Sequence, residues 1–307
     1  MPRRRSRKMP PKSSKVQAFS VREFFDRFPT EDACLEHLMG IRYGLRHNCI
    51  KCHQVSTFHK LADRPAYTCA HCGANVHPCA GTIFQDTRTP LRMWFYAIYL
   101  FVTTRHGVSG KELQRQLGVT YKTAYRIGIQ IRKLMEQAEG LTGLLGGHVE
   151  MDEAYVGGRR SGGKRGRGAE GKAIVMGMKE RGGKIAARVI PDIQAKTLRN
   201  VVLENVEPGA VVSTDELMSY GLLTGDGFVH GAVKHGAKEW TYYDYRTGET
   251  HSTNSIESFW HLFKYSVRST HIQISREKLP LYLAEFCYRS NHRAMGNLMF
   301  DALLAQV

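Results

Sequence analysis

Three acidic side chains stand at positions from which a fold could gather them at one site. Asp152 lies inside a predicted strand over 148–156, although aspartate is disfavoured in strands. Asp215 ends an apolar stretch, and a polar residue at the carboxyl end of a buried strand is typical of α/β sites. Glu257 lies on a predicted helix, where Lys264 follows it on the same face.

Such a set of acids suits phosphodiester chemistry. Hydrolysis and transesterification pair the attacking and the leaving oxygen with two divalent ions about 3.5–4 Å apart. Mg²⁺ prefers carboxylate oxygens as ligands, and acids gathered without a cation repel one another. The sequence therefore predicts that Asp152, Asp215 and Glu257 bind Mg²⁺ or Mn²⁺.

Each acid also has a purely structural explanation, which the sequence leaves open. Asp152 could form a turn at a strand end. Asp215 could cap a helix that begins at Glu216. Asn254 and Glu257 could form a capping box at the start of their helix.

Two Cys-x-x-Cys pairs form a second group of residues that could do chemistry. Sixteen residues separate Cys52 from Cys69, a spacing typical of zinc sites. Four thiolates complete a closed tetrahedral shell with no open position for substrate, so the predicted zinc is structural. The seven cysteines are an odd number, which a metal site explains better than disulfides do. The predicted ligands are Cys49, Cys52, Cys69 and Cys72.

Composition narrows the class of partner. The chain has 307 residues, with 44 Lys and Arg against 28 Asp and Glu, a net charge of +16. This balance favours a polyanion such as nucleic acid. The apolar content of 42% excludes a wholly disordered chain. The longest apolar run, 93–102, is well short of the roughly 20 residues that span a bilayer.

The elements around these residues divide into a helical and a layered part. Residues 109–136 predict two helices around a glycine turn, with Ser109 and Thr120 as N-caps. A basic second helix is typical of a helix-turn-helix that enters the major groove, although an ordinary helical hairpin fits the pattern equally well. The second helix is predicted to bury Ala124, Ile127, Ile131 and Leu134 and to expose Lys122, Arg126, Arg132 and Lys133.

After Gly147 the pattern becomes three strands, helix, strand, helix, strand, helix, which predicts an α/β layered domain. Strand alternation places Glu150 and Asp152 on one face of the sheet and Glu153 on the other. The three acids of the predicted metal site are far apart in sequence and would meet only in the fold.

Several short motifs follow one another in a fixed order between residues 19 and 293. On these motifs the chain resembles bacterial insertion-sequence transposases of the zinc-ribbon DDE group, which are relatives of the Merlin elements. After the first cysteine pair, where relatives have Cys-Gly or Gly-Ser character, this chain has His53 and Gln54. The motifs are the cysteine pairs and residues 81–84, 107–109, 117–124, 151–158, 214–217 with Tyr220, 253–260 with Lys264, and 285–291.

The resemblance implies a ribonuclease-H-like mixed-sheet catalytic core, preceded by a small zinc ribbon and a helix-turn-helix. In that fold Asp152 lies on the first strand, Asp215 ends the fourth and Glu257 lies on a late helix. Lys264 is the basic residue implied to contact DNA near the cut. Some relatives place Asn in the role of the third acid, so Asn254 is a rival or helper of Glu257.

The implied domains follow the motifs. They are a basic disordered tail over 1–18, a zinc-ribbon module over 19–88, a helix-turn-helix region over 89–140, the DDE catalytic domain over 147–293 and a C-terminal tail over 294–307.

The implied function is that of a DNA transposase. It would bind the terminal inverted repeats of an insertion sequence and use Mg²⁺ or Mn²⁺ to cleave DNA and transfer the strand to target DNA. We expect a homodimer or larger assembly in the cytoplasm at the nucleoid, with no membrane partner. The predicted DNA contacts are Thr120, Tyr121, Lys122, Thr123 and Arg126, with Arg159, Arg160, Lys164, Arg165 and Arg167 in a basic loop.

Two other functions remain open from the sequence. One is a domesticated DNA-binding regulator whose α/β domain is catalytically silent, and the other is a metal nuclease that cuts without strand transfer. A silent domain has no chemical reason to retain all three acids, so the acid set discriminates the first alternative from the transposase.

Overall fold

The structure is a computed structural model that describes residues 18–140, 143–157 and 172–307. Residues 1–17 of the predicted basic tail and the predicted DNA contacts Arg159, Arg160, Lys164, Arg165 and Arg167 lie outside these residues. Within the described ranges, no helix is both long and apolar enough to cross a membrane.

Two capped helices and a small sheet open the chain. Ser20 and Thr30 are the N-caps of the first two helices, and each side chain accepts a backbone N–H three residues on. Neighbouring strands of the small sheet are antiparallel, in the order β1-β2-β3-β4. The elements are α1 (Val21–Arg27), α2 (Glu31–Arg42), β1 (Arg46–Asn48), β2 (Val55–Lys60), β3 (Tyr67–Cys69) and β4 (Asn75–Val76).

Three helices follow, near the bounds that the apolar periodicity predicts. Ser109 and Thr120 are N-caps, as predicted. Gly118, in the left-handed region with φ +64°, ends the second of these helices. The predicted apolar stripe is buried, but the prediction that Arg132 faces water is wrong, because its side chain is buried against Glu285. The helices are α3 (Leu91–Thr103), α4 (Gly110–Leu117) and α5 (Tyr121–Glu139).

An aromatic core joins this region to the end of the chain. Residues 294–307, predicted as a tail, include the helix α9 (Met299–Leu304). Phe300 of this helix is fully buried, and its ring lies 5.4 Å from Phe19 and 5.5 Å from Phe28. The segment is short and lacks a clear periodicity, so only the long-range packing reveals its place in the core.

A five-stranded mixed sheet forms the layered part. Its order is β7-β6-β5-β8-β9, with β5, β6 and β7 antiparallel and β5, β8 and β9 parallel. The predicted strands are therefore present, within a few residues at their ends. They are β5 (His148–Val156), β6 (Ala173–Glu180), β7 (Ile185–Ile190), β8 (Val211–Asp215) and β9 (Val229–Val233).

Helices cover both faces of the sheet. One face buries Met151 and Met176 with Leu198 of α6 (Ala195–Asn205), next to a 3₁₀ segment over 218–226. The other face packs on α7 (Asn254–Ser266) and α8 (Leu279–Asn291). At Gly177 of β6 a Cβ atom would lie only 2.5 Å from the ring of Trp260. Glycine there lets α7 approach β6 and its neighbour β5 closely.

A hairpin that the sequence patterns did not predict lies between β9 and α7. It consists of β10 (Tyr242–Asp244) and β11 (Glu249–His251). The His251 ring fills the space beside Gly231 of β9, and its Nδ1 lies 2.9 Å from Ser213 Oγ of β8. The hairpin thus covers β8 and β9.

Candidate functional site

The two aspartates of the predicted site are neighbours at the carboxyl end of the parallel strands. The register pairs Glu150 with Ser213, which places Asp152 beside Asp215, the last residue of β8. The backbone N–H of Leu217 donates to Asp215 Oδ1 at 3.0 Å. In the part of the chain that the structure describes, no helix begins at Glu216, and the next helical segment starts at Met218. The prediction that Asp215 caps a helix is therefore wrong.

Glu153 joins these aspartates, although no sequence pattern predicted it as part of the site. Carboxylate oxygens of Asp152, Glu153 and Asp215 all lie within 4.8 Å of one another. Glu153 points to the opposite face, as predicted, where the Tyr220 hydroxyl donates to it. A carboxylate oxygen of Glu153 still reaches the cluster, at the point where β8 ends with Asp215. Its position directly after Asp152 was the only signal in the sequence.

Glu257 lies near this cluster but outside its compact group. Its Oε1 accepts a hydrogen bond from Thr253 Oγ1 at 2.7 Å and lies 3.2 Å from His235 Nε2. Thr253 is the N-cap of α7, and Asn254 is its first helical residue. The capping box led by Asn254 is therefore wrong, because the hydroxyl that reaches Glu257 belongs to Thr253.

Glu150 provides the missing cap of α7. Its Oε2 accepts hydrogen bonds from the Ser255 N–H and Oγ, both at 2.7 Å, and its Oε1 accepts from Ser252 Oγ and Arg181 Nε at 3.1 and 3.2 Å. Burial opposes the charged form, but these hydrogen bonds hold the pKa of Glu150 below its usual range. A carboxylate at a helix N-terminus also meets the positive end of the dipole. Glu150 thereby ties α7, which carries Glu257, to β5.

The carboxylates of the cluster repel one another, and a bound cation would relieve that repulsion. Burial, and then the charges of Glu153, Asp215 and Glu257, raise the pKa of Asp152 to about 7. Lys264 partly offsets this, and burial in turn lowers the pKa of its own ammonium group. Carboxylate oxygens crowded in this way match the ligands that Mg²⁺ and Mn²⁺ prefer. The donor set therefore fits a divalent ion.

The raised pKa of Asp152 has a consequence for stability without added Mg²⁺ or Mn²⁺. Between pH about 4 and 7 the folded protein holds a proton that the unfolded chain has released, so stability falls as the pH rises. Asp152→Asn removes this cost, which is at most about 4 kcal/mol and about 2 kcal/mol after solvent screening. We expect denaturant unfolding to show a more stable variant at pH 8 and no difference at pH 4. A gain that is equal at both pH values would contradict this explanation.

The predicted DNA contacts of the helical region lie around the start of α5. Thr120, Tyr121, Lys122 and Arg126 are exposed, and Thr123 is half-buried with its hydroxyl 3.0 Å from that of Thr120. All five lie at the N-cap or in the first two turns of the helix.

The four predicted zinc ligands meet in the small N-terminal sheet. Their sulfur atoms all lie within 4.8 Å, with Cys49 Sγ 3.7 Å from Cys72 Sγ. Hydrogen bonding from Ser56 and from backbone N–H groups lowers the pKa of the Cys69 thiol, which favours the thiolate that zinc binds. Four convergent sulfurs, with Cys52 as the fourth, fit a tetrahedral structural zinc ion.

The two halves of the zinc centre repeat one backbone turn. The His53 N–H donates to Cys49 O at 2.8 Å, and the Gly73 N–H donates to Cys69 O at 3.0 Å. Both donors lie in the left-handed region, with φ of +54° for His53 and +69° for Gly73. Only the second knuckle has the glycine that this region favours.

We expect His53→Gly to stabilise the zinc centre by about 1 kcal/mol, because the left-handed conformation costs a non-glycine residue roughly that amount. Competition with a chromophoric zinc chelator measures the change. Gly73→Ala is the matched control, and it should weaken zinc retention. Unchanged retention in His53→Gly would contradict the strain at this turn.

The sequence of this chain is similar to those of known transposase domains and of proteins from transposable elements. The family profile of the ISXO2-like transposase domain matches residues 144–291, and that of the transposase zinc-ribbon domain matches residues 29–75. An uncharacterized protein in transposable element ISH50 of Halobacterium salinarum is 28% identical over 241 residues, covering 73% of this chain and 77% of that protein. An uncharacterized transposase-like protein of Haemophilus influenzae is 31% identical over 110 residues, covering 36% and 82% respectively.

Proposed function

This chain belongs to the transposase family of the ISXO2-like domain, and from that premise we propose that it cleaves DNA at the ends of an insertion sequence and joins them to target DNA. The observation that carries the proposal is the cluster of Asp152, Glu153 and Asp215 at the carboxyl end of the central strands. The strand order β7-β6-β5-β8-β9 supports a ribonuclease-H-like core for the catalytic domain over 147–293.

The proposed reaction has two steps of the same type. Water attacks a phosphodiester at the element end, so that an O–P bond forms and the bond to the 3′-oxygen breaks, leaving a 3′-hydroxyl. That hydroxyl then attacks a target phosphodiester in line, and a target 3′-oxygen leaves. A divalent ion pair, when bound, lowers the pKa of the attacking group and stabilises the leaving oxygen.

Different side chains bind the metal ions and position the DNA. Asp152 and Asp215 hold the divalent ions, with Glu257 as the proposed third ligand and Asn254 as its rival or helper. Lys264, whose charge acts on Asp152, positions a phosphate oxygen near the cut. Glu150 keeps α7 against β5, so that both elements face the same DNA.

The helices α4 and α5 are the proposed helix-turn-helix, within a region over 89–140. Their exposed contacts around Thr120 and Arg126 hold the terminal inverted repeats, together with the zinc-ribbon module over 19–88. Because phosphate contacts release counterions, binding should weaken steeply with salt. Two element ends must be held together, so the proposed assembly is a dimer or larger.

A strand-transfer assay tests the proposal. Purified protein is mixed with DNA that carries the repeats flanking its gene, a plasmid target and Mg²⁺ or Mn²⁺. Joined products that disappear when the ions are omitted would support the transposase. Cleavage without joining would assign a nuclease, and salt-sensitive binding with neither product would assign a silent DNA-binding regulator.

A pair of matched variants decides the third acid. Glu257→Gln and Glu153→Gln each remove one charge without changing side-chain size. If Glu257 is the third ligand, its variant should lose strand transfer, and the Glu153 variant should keep a larger part of it. The reverse result would assign the role of third metal ligand to Glu153.

A further inference from the structure

Three large aromatic side chains near the candidate site face solvent. Trp240 is 56% exposed, Tyr243 47% and Tyr245 91%. The other two tryptophans, Trp94 and Trp260, are at most 2% exposed. Rings this large are more often buried, so a short segment that exposes three of them has the character of a contact surface. We call Trp240, Tyr243 and Tyr245 the aromatic stripe.

Tyr243 lies on β10 of the hairpin, Tyr245 directly follows that strand, and Trp240 lies two residues before it. Tyr242 stacks on His251 with ring centroids 5.8 Å apart, and Asp244 is 4% exposed and accepts the Arg246 N–H at 2.9 Å. These inward residues alternate with the outward Tyr243 along β10. The two tyrosines are therefore held by a packed inner face, and Trp240 by its contact with the His235 ring, which lowers the entropy cost of binding a partner.

The stripe begins beside the acids. The centroid of the Trp240 ring lies 5.2 Å from that of His235, and His235 Nε2 lies 3.2 Å from Glu257 Oε1. Two contacts thus connect Trp240 to an acid whose charge acts on Asp152. A ligand that stacks on Trp240 would lie at the edge of the reacting centre.

The charges of residues 234–251, which include the aromatic stripe, show whether this segment could attract phosphate groups. Lys234, Lys238 and Arg246 are balanced by Glu239, Asp244 and Glu249, so the segment has no net charge of its own. Attraction to phosphate therefore comes from elsewhere in this +16 chain. What the stripe offers is ring surface, which binds unpaired bases by stacking.

We propose that the aromatic stripe, and Trp240 above all, stacks on unpaired bases of DNA next to the cleavage site. This inference rests on the proposed function and extends it: the DNA end is bound at the acids with bases out of the duplex. Stacked bases would hold the reacting strand end in place while the acids hold the metal ions.

Binding of a single-stranded oligothymidylate, without added Mg²⁺ or Mn²⁺, tests the stripe separately from catalysis. Trp240→Ala should weaken binding about tenfold, the effect of losing one stacked base. Trp240→Phe, which keeps a ring, should bind nearly as the wild type does. Because the lost interaction is stacking, the ratio of wild-type to Trp240→Ala affinity should be the same at low and high salt.

Tryptophan emission gives a second readout at the same residue. Trp240 is the exposed tryptophan, so stacked thymines should quench the solvent-accessible part of the emission in the wild type. Trp240→Phe should remove that quenching while retaining DNA binding. Quenching that persists in this variant would place the bases elsewhere.

The outcomes separate this inference from the proposed function. If Trp240→Ala binds oligothymidylate as tightly as the wild type, the stripe does not bind bases, whatever the strand-transfer assay shows. If that variant instead lowers the molar mass measured by light scattering, the stripe is an interface with a second copy. If the tenfold effect is present but the wild type joins no DNA, the stacking surface stands and the transposase proposal fails.

Discussion

Asp152→Asn is expected to lower strand transfer by about three orders of magnitude and to leave DNA binding intact. Asparagine keeps the shape of the side chain but removes the charge from the centre of the acidic cluster. The divalent ions of such sites contribute several kcal/mol to the transition state, and each factor of ten in rate is about 1.4 kcal/mol. The DNA contacts proposed for α5 lie on a different element and should be unaffected.

Quantified joined products, together with a filter-binding or anisotropy assay, measure the two parts of this expectation. Asp26→Asn is a matched control, because Asp26 pairs with Arg22 on the surface and its side chain is 74% exposed. It should change neither property. If Asp152→Asn abolished DNA binding as well, the carboxylate would be maintaining the fold rather than the chemistry.

Glu285→Ala is expected to destabilise the protein by about 3–5 kcal/mol, because it breaks a buried ion pair and leaves buried cations without a counter-charge. Glu285 of α8 is fully buried, and Arg132 of α5 is 2% exposed. The Arg132 Nε donates to Glu285 Oε2 at 2.7 Å, and Arg289 Nη1 lies 3.5 Å from Oε1. The pair joins the helical region to the layered domain.

Denaturant unfolding measures this loss, with Asp26→Ala as the exposed ion-pair control that should cost less than about 1 kcal/mol. The side chains around Glu285 also explain why residue 107 is a glycine. A Cβ atom at Gly107 would lie 2.7 Å from Glu285 Oε1 and 3.0 Å from His271 Nε2. A Glu285→Ala variant as stable as the control would show that the two parts of the protein do not depend on this pair.

Local patterns in the sequence were sufficient for most elements. Two-residue alternation predicted β5 with its bounds, and apolar spacing with Ser and Thr caps predicted α4 and α5. The two cysteine pairs predicted a cluster of four sulfurs, because the chemistry of zinc constrains their spacing. These features depend on residues that are near one another in the chain.

What the sequence did not predict depends on contacts between distant segments. Arg132 is buried because a glutamate 153 positions later faces it. Glu150 caps α7 from another element, and Glu153 meets Asp215, which lies on a different strand 62 positions later. The hairpin β10–β11 has three-residue strands, which are too short for a periodic signal.

A Mn²⁺ titration followed by electron paramagnetic resonance tests the central claim most directly, because the signal of free Mn²⁺ counts the ions that bind. With the zinc centre loaded, the wild type should bind Mn²⁺ at the acidic cluster, and Asp152→Asn should lose that binding while remaining folded. Equal Mn²⁺ binding by the two proteins would contradict the account, because the cluster of Asp152, Glu153 and Asp215 would then not be the site of the divalent ions.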